Sequence, residues 1–517
     1  MADPMIGRPF AMPMLKDFIP KKLQPWLYLV CAVIFQLVNT IYMGSVSQMV
    51  GSTGLMREDI TFIFLCGVVG VAMPFPVLFR MKFRFTNRSL ELFSVGGMII
   101  CILLTLALFN FTDVHVTLPL LCLLSFVCCY LKLMATFEIF SNIQLWMTPR
   151  RDFRIFFPLL YIVVLGDMSG GAWVSSQLTY FGDSWQTMQW FVIALLLVVW
   201  LFLWTCTRHF RFMRPLPFLS IDWLGGILWS VTLLELIWLF HYGEYYNWWD
   251  SRLWRGVVVA TVITAYFAVS RMRHIHHPYI DPKAFRYKTL LPILGMFAVA
   301  EVMNATPQVL QNAFTGSIAH WGMMTTAPLN LITIVGNVTG CLFCLWWMKM
   351  MRQAYTRLLT IGFALLLSYQ VAMYFIVYPG LNFEMLIVPT FLRSFGYTIF
   401  FVTMTLYLEE LMPFQHFFMG LTICGFIRNG LLSTMTESIY AFLLRYHIMD
   451  NLVSAHPYTP EMSLLTGIKQ LYGVTCMGGC FFLLLLMLWH VSPVRSTLKH
   501  LPYWGKLGHE MRKELGR

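Results

Sequence analysis

An all-α protein that crosses a lipid bilayer many times is the fold class this sequence predicts, on three observations. Of 517 residues, 58% are hydrophobic and only 12% are charged, where a soluble chain carries roughly 25% charged residues. The apolar residues come in long runs of about 20, the length a helix needs to cross the hydrocarbon core. Lys and Arg fall mainly in the short stretches between runs. A transmembrane barrel would show alternating segments of ~10 residues; these runs are too long and too uniformly apolar for that.

Read in chain order, the runs predict about fourteen spans, at residues 26–49, 60–79, 90–109, 116–146, 155–180, 190–206, 223–242, 253–270, 289–314, 320–348, 357–378, 385–407, 414–444 and 471–491. The first follows a basic segment with Arg8, Lys16, Lys21 and Lys22. It is too long for a secretory signal and has no small-residue cleavage site, so it reads as a retained helix. The stretches after even-numbered spans are the basic ones: Arg80 to Arg88, Arg150 to Arg154, Arg208 to Arg214, Arg271 to Lys288, Lys349 to Arg357, and the tail. With the two ends they hold about 28 Lys and Arg, against about 4 in the stretches after odd-numbered spans. Cytoplasmic loops carry that excess, so both termini are expected inside. The same distribution accounts for the net charge of +12 without nucleic acid, because no groove-reading patch gathers it.

Cofactor and metal signals are weak. Cys341 and Cys344 have a redox-like spacing but sit in an apolar run, where a thiol behaves as a small apolar group. His274, His276 and His277 supply too few ligands for a metal centre. No G-x-x-x-x-G-K-S/T phosphate loop is present, so ATP-driven transport by this chain alone is not expected. Neither a metal nor a cofactor is expected.

An ionisable group at membrane depth costs roughly 2.5–3.5 kcal/mol and is a functional hypothesis by default. Lys132 and Glu138 lie in the fourth span, Asp167 in the fifth, Glu235 in the seventh, Glu301 in the ninth, Arg393 in the twelfth, and Arg428 and Glu437 in the thirteenth. Lys132 and Glu138 are about 120° apart around their helix, so each looks to a different neighbour. Asn39 in the first span, and Asn304, Gln308 and Gln311 in the ninth, could line a wet cavity or bond between helices.

Several segments resemble the EmrB/QacA-type multidrug transporters, fourteen-helix members of the major facilitator superfamily. Pro278, Ile280, Asp281 and Phe285 fit P-x-I-D-x-x-x-F; Pro307 to Gln311 is similar to P-Q-x-L-Q; His320 to Pro328 resembles the segment that follows. Ile221 to Gly225 and Trp248 to Leu253 resemble that family's two extra central helices. The first half departs from the pattern. Val38-Asn39-Thr40-Ile41 lacks the first helix's acid, and the stretch Phe79 to Arg88 keeps basic charge but loses the family's Gly and Asp. Gly166-Asp167-Met168-Ser169-Gly170-Gly171 has Asp where the antiporter motif G-P-x-x-G-G has Pro, while Gly166, Gly170 and Gly171 remain for close packing.

The resemblance implies a major facilitator fold. Residues 1–25 would be a cytoplasmic segment, 26–206 a six-helix half, 207–288 two extra helices with linkers, 289–491 a second six-helix half, and 492–517 a basic tail. Helices 1, 4, 9 and 12 would then line a central cavity, and Glu138, Glu301, Arg393, Lys132, Asn39, Asn304, Gln308 and Gln311 all fall on those helices. The expected activity is proton-coupled export of amphipathic small molecules by alternating access. Glu301, Glu138 and then Asp167 are the candidate proton carriers, since a low-dielectric cavity favours the neutral form of a carboxyl. Lys132 and Arg393 would tune them or hold an anionic group. The resemblance places such a chain in a bacterial inner membrane, in contact with lipid, small-molecule substrate and protons, with a periplasmic adaptor and an outer-membrane channel as partners. A facilitator or importer of one specific solute is the alternative, motivated by the missing acid near Asn39. An intramembrane enzyme is disfavoured, because Glu409, Glu410 and His416 show no nucleophile or metal spacing.

Overall fold

In the computed structural model every named element among the described residues is helical, and their only β contact is an isolated bridge between Leu15 and Thr207. The structure describes residues 15–20, 22–42, 46–109, 114–147, 153–209, 221–287, 290–350, 355–412, 414–453 and 459–491. The basic tail and most of the N-terminal basic segment lie outside them.

A helix stands at every expected position. We number them α1 (Gln24–Leu37), α2 (Arg57–Ala72), α3 (Asn87–Leu108), α4 (Val114–Met147), α5 (Phe153–Phe181), α6 (Gln186–Cys206) and α7 (Trp223–His241). There follow α8 (Arg252–His274), α9 (Leu290–Thr306), α10 (Pro328–Met350), α11 (Tyr355–Ile376), α12 (Ile387–Leu411), α13 (Phe414–Gly425, resuming at Ser433–Val453) and α14 (Pro460–Val491). Among the described residues twelve helical stretches are long and apolar enough to cross a membrane, and α1 and α2 are the shorter pair. Apolar side chains such as Ile100, Val198, Val262, Leu291 and Leu488 are exposed on the outside of the bundle, where a bilayer takes the place of water. The molecule is a multi-pass membrane protein.

The two shorter helices are where the expected bounds change. The first run was expected to continue to residue 49, but α1 stops at Leu37, passes through a tight turn at Val38–Thr40, and a separate helix spans Val46–Thr53. Asn39, Thr40, Gly44, Ser45 and Ser47 are weak helix formers that compete for backbone bonds. The second run was expected to reach residue 79, but α2 ends at Ala72, ahead of Pro74 and Pro76. Each proline lacks an N–H and clashes with the turn before it. The basic stretch beyond folds as a short helix, Leu78–Arg84.

One buried apolar cluster lies wholly within the first half, from Leu15 to Leu203. Another, from Ala305 to Tyr472, lies wholly in the second. A third crosses between them and takes in α7 residues Leu233 and Ile237. Along one seam α5 meets α10, with Gly166 facing Val338 and Gly170 facing Ile334. Gly171 touches Thr40, so a side chain there would push α1 away from α5. The second seam is filled by the end of α7. Tyr242 Oη donates to Asp59 Oδ1 at 2.6 Å, His241 Nε2 bonds the Glu58 carbonyl at 2.8 Å, and Ser438 Oγ donates to the Phe240 carbonyl at 2.7 Å. Helix α7 is thus bonded to α2 in one half and to α13 in the other.

Candidate functional site

Between the halves lies a cavity of about 2340 Å³, lined from α1, α2, α4 and α5 on one side and α9, α10, α12 and α13 on the other. Its liners near the basic ends of the helices are buried: Lys82 9% exposed, Phe156 7%, Phe157 5%. At the opposite end Arg57, Tyr245 and Arg445 also line it and are exposed. The cavity therefore faces away from the basic end. There the halves are joined by aromatic rings: Phe157 packs on Phe417 at 5.8 Å between centroids and Phe137 on Phe418 at 6.1 Å, and nearer mid-depth Tyr161 packs on Phe401 at 4.7 Å.

At mid-depth, three helices contribute one polar cluster. Tyr397 Oη of α12 donates to Glu301 Oε1 of α9 at 2.8 Å, and Arg428 Nε of α13 lies 3.5 Å from the same oxygen. The Arg428 guanidinium also stands 4.0 Å from the centre of the Phe401 ring. An ion pair this buried is held by mutual attraction and well-placed donors. The local backbone is unusual in both helices. A π segment, Pro307–Gln311, follows α9, and another, Phe426–Leu432, carries Arg428 within α13. Such bulges are rare and gather at functional sites. Pro307 removes an N–H from the regular ladder, which accounts for the first.

The structure brings most of the sequence-predicted residues to this cavity. Glu301, Asn304, Gln308, Arg393, Lys132 and Asn39 all line it. Asn39 Oδ1 accepts from Cys129 Sγ at 3.2 Å, which ties α1 to α4. Gln311 is turned aside: its Oε1 accepts from Tyr369 Oη at 2.8 Å, inside the second half. Glu138 is not at the cavity wall. It is 2% exposed and pairs with Lys82 Nζ at 3.3 Å, near the basic end. Asp167 is on α5, and its side chain lies outside the described residues. Glu235 accepts from Thr264 at 2.6 Å, holding α7 to α8.

Sequence reading put less weight on Arg428 and none on Tyr397, although both touch Glu301. It counted Lys82 as a loop charge and passed over Asn337. Asn337 Nδ2 donates to the Leu165 carbonyl at 3.1 Å across the seam, and its Oδ1 accepts from Thr398 at 2.9 Å. The available signal was an amide in the middle of an apolar run. Among the described residues no group of three or more His, Cys, Asp or Glu side chains could hold a metal.

No protein-family model matches the chain, and no curated protein matches it. Solved structures do. The POT family transporter PepTSo superposes with a TM-score of 0.54 at 14% identity, covering 91% of this chain and 99% of its own. The nucleoside transporter NupG does so with a TM-score of 0.53 at 12% identity, covering 89% and 99%. At such identities the likeness is one of fold. Helices at the expected positions, two facing groups with a cavity between them, and superposition over almost all of both transporters lead to one conclusion: this chain has the major facilitator fold.

Proposed function

We propose that the protein is a secondary active transporter of fourteen spans that exports amphipathic small molecules by alternating access, coupled to protons at Glu301. The observation that supports this most is the Glu301–Arg428–Tyr397 cluster at the wall of a cavity between two halves. A cavity closed at one end by aromatic packing and exposed at the other is the geometry from which two halves can rock. In this reading residues 26–206 and 289–491 are the halves, the basic end faces the cytoplasm, and the membrane is a bacterial inner membrane. Rearrangement of Arg428 away from Glu301 would leave a carboxylate in a dry site, which then takes a proton instead. Glu138, paired with Lys82, is the second carrier in the proposal, and Asp167 the third. An adaptor protein and an outer-membrane channel enter on the EmrB/QacA resemblance alone.

The test is efflux of fluorescent amphipathic dyes from proteoliposomes, with and without an imposed pH gradient. Gradient-dependent efflux that Glu301→Gln abolishes is expected. Equal efflux from wild type and Glu301→Gln would remove Glu301 as carrier. A second reading, facilitation or import of one specific solute, is favoured by Asn39, which stands where the resemblance expects an acid and bonds Cys129 instead. Solute movement that ignores the gradient would select it.

A further inference from the structure

The charges in the cavity are not all neutralised within the protein. Arg428 pairs with Glu301, and Arg445 pairs with Glu244 at 3.6 Å. Lys82 pairs with Glu138 at 3.3 Å, Lys132 lines the first-half wall at 2% exposure, and Arg57 and Glu58 stand at the mouth, where water screens them. Arg393 and Glu437 are different. Both line the cavity, both are half-buried, and neither forms an ion pair among the described residues. A charge taken from water without a partner is costly, so two of opposite sign in one cavity need an explanation.

Their placement supplies one. Arg393 lies one helical turn along α12 from Tyr397, about 6 Å, on the side of the open mouth. Its guanidinium stands 5.9 Å from the centre of the Tyr369 ring, and Tyr369 is fully buried and held by Gln311. The arginine therefore has a fixed aromatic face beside it, lines the cavity, and forms no ion pair among the described residues. Glu437 lies beyond Arg428 on α13, also toward the mouth. Asn304 and Gln308 of α9 also line the cavity. A simple cation entering here meets Arg393, and a simple anion meets Glu437. A molecule with both charges is drawn to both and enters with no net charge to desolvate.

Building on the transporter reading, we infer that the solute is an amphipathic zwitterion, its anionic group seated on Arg393 and its protonated amine on Glu437. The aromatic liners Tyr397, Phe401 and Trp321 take the apolar body, and a guanidinium presents a planar fork suited to a carboxylate.

The test is equilibrium binding to the purified full-length protein in nanodiscs, with no gradient, by isothermal titration. The probes share one scaffold: aminomethyl-phenylpropanoic acid carries both charges, phenylpropanoic acid only the anion, benzylamine only the cation. The zwitterion is expected to bind wild type about tenfold or more tightly than either analogue. R393Q should reduce it to the level of benzylamine, and E437Q to that of phenylpropanoic acid. R393K and E437D, which keep each charge, should retain the preference, and this separates recognition from misfolding. Benzylamine or phenylpropanoic acid binding as tightly as the zwitterion would overturn the inference. So would R393Q and E437Q binding like wild type, or no probe binding at all. Binding without a gradient does not depend on proton coupling, so failure of Glu301 as carrier would leave these results unchanged.

Discussion

Arg428 and Glu301, on different helices and distant in sequence, meet 3.5 Å apart in the middle of the second half, with their side chains 14% and 6% exposed. The pair joins the π segment of α13 to α9, and Tyr397 adds α12 to the same carboxylate. Three helices of one half are thus fixed to one another through a single charged oxygen.

Removing one partner leaves the other as an uncompensated buried charge. Glu301→Ala and Arg428→Ala are each expected to destabilise the protein by about 3–5 kcal/mol. The double variant should cost clearly less than the sum, because the stranded charge is gone. Thermal unfolding of the four proteins in detergent measures the cycle, and additive losses would show that the two side chains do not depend on each other.

Close helix contact gives a second prediction. A Cβ on Gly70 of α2 would meet the Phe126 carbonyl of α4, a backbone atom that cannot swing aside, whereas a Cβ on Gly295 of α9 meets nothing within 4 Å. Gly70→Ala should lower stability by about 1–3 kcal/mol through forced separation of the helices. Gly295→Ala should be neutral or stabilising by up to about 1 kcal/mol, since alanine is the better helix former. Melting temperatures of the two variants decide it, and a harmless Gly70→Ala would contradict the α2–α4 contact.

The aromatic layer at the basic end predicts one-sided access. In a background freed of native cysteines, a single cysteine at Asn304 should react with a membrane-impermeant maleimide from the open side and hardly at all from the basic side. Phe157→Ala with Phe417→Ala removes rings that are 5% and 0% exposed and should raise labelling from the basic side several-fold. Equal labelling from both sides in the parent protein would contradict the closure.

The all-helical membrane class was legible because most apolar runs are long enough to cross a bilayer, and among the described residues twelve helical stretches meet that length where fourteen spans were expected. The ends of α1 and α2 were less so: hydropathy does not sense the turn at Asn39, and averaging over a window passed across Pro74 and Pro76. The site was legible as a set of polar residues on apolar helices. Glu301, Arg393 and Asn304 were visible as exceptions to their surroundings. Partnership was not, since nothing local in the sequence connects Glu301 with Arg428, or Glu138 with Lys82. Lys82 was counted as an orienting charge because it follows Phe79 and Arg80 in a basic stretch, and only the packing of the short helix Leu78–Arg84 against α4 shows it buried. Gln311 was read as a cavity residue, but the π segment and the Tyr369 hydroxyl turn it away.

The bonds made by α7 bear on how this chain could be shortened. Helix α8 rests mainly on α7, through Thr264, through Trp254 to the Leu239 carbonyl, and through Arg271 to Asp222, and it turns Val259, Val262, Tyr266 and Phe267 outward. It could be trimmed or exchanged at modest cost. Helix α7 could not. Excising it would strip Asp59 of its hydroxyl donor and uncover the groove between α2 and α13 that Ile237 fills. Helices α7 and α8 are therefore unequal: a version of this protein joined without α7 would lack a keystone and not merely a spacer.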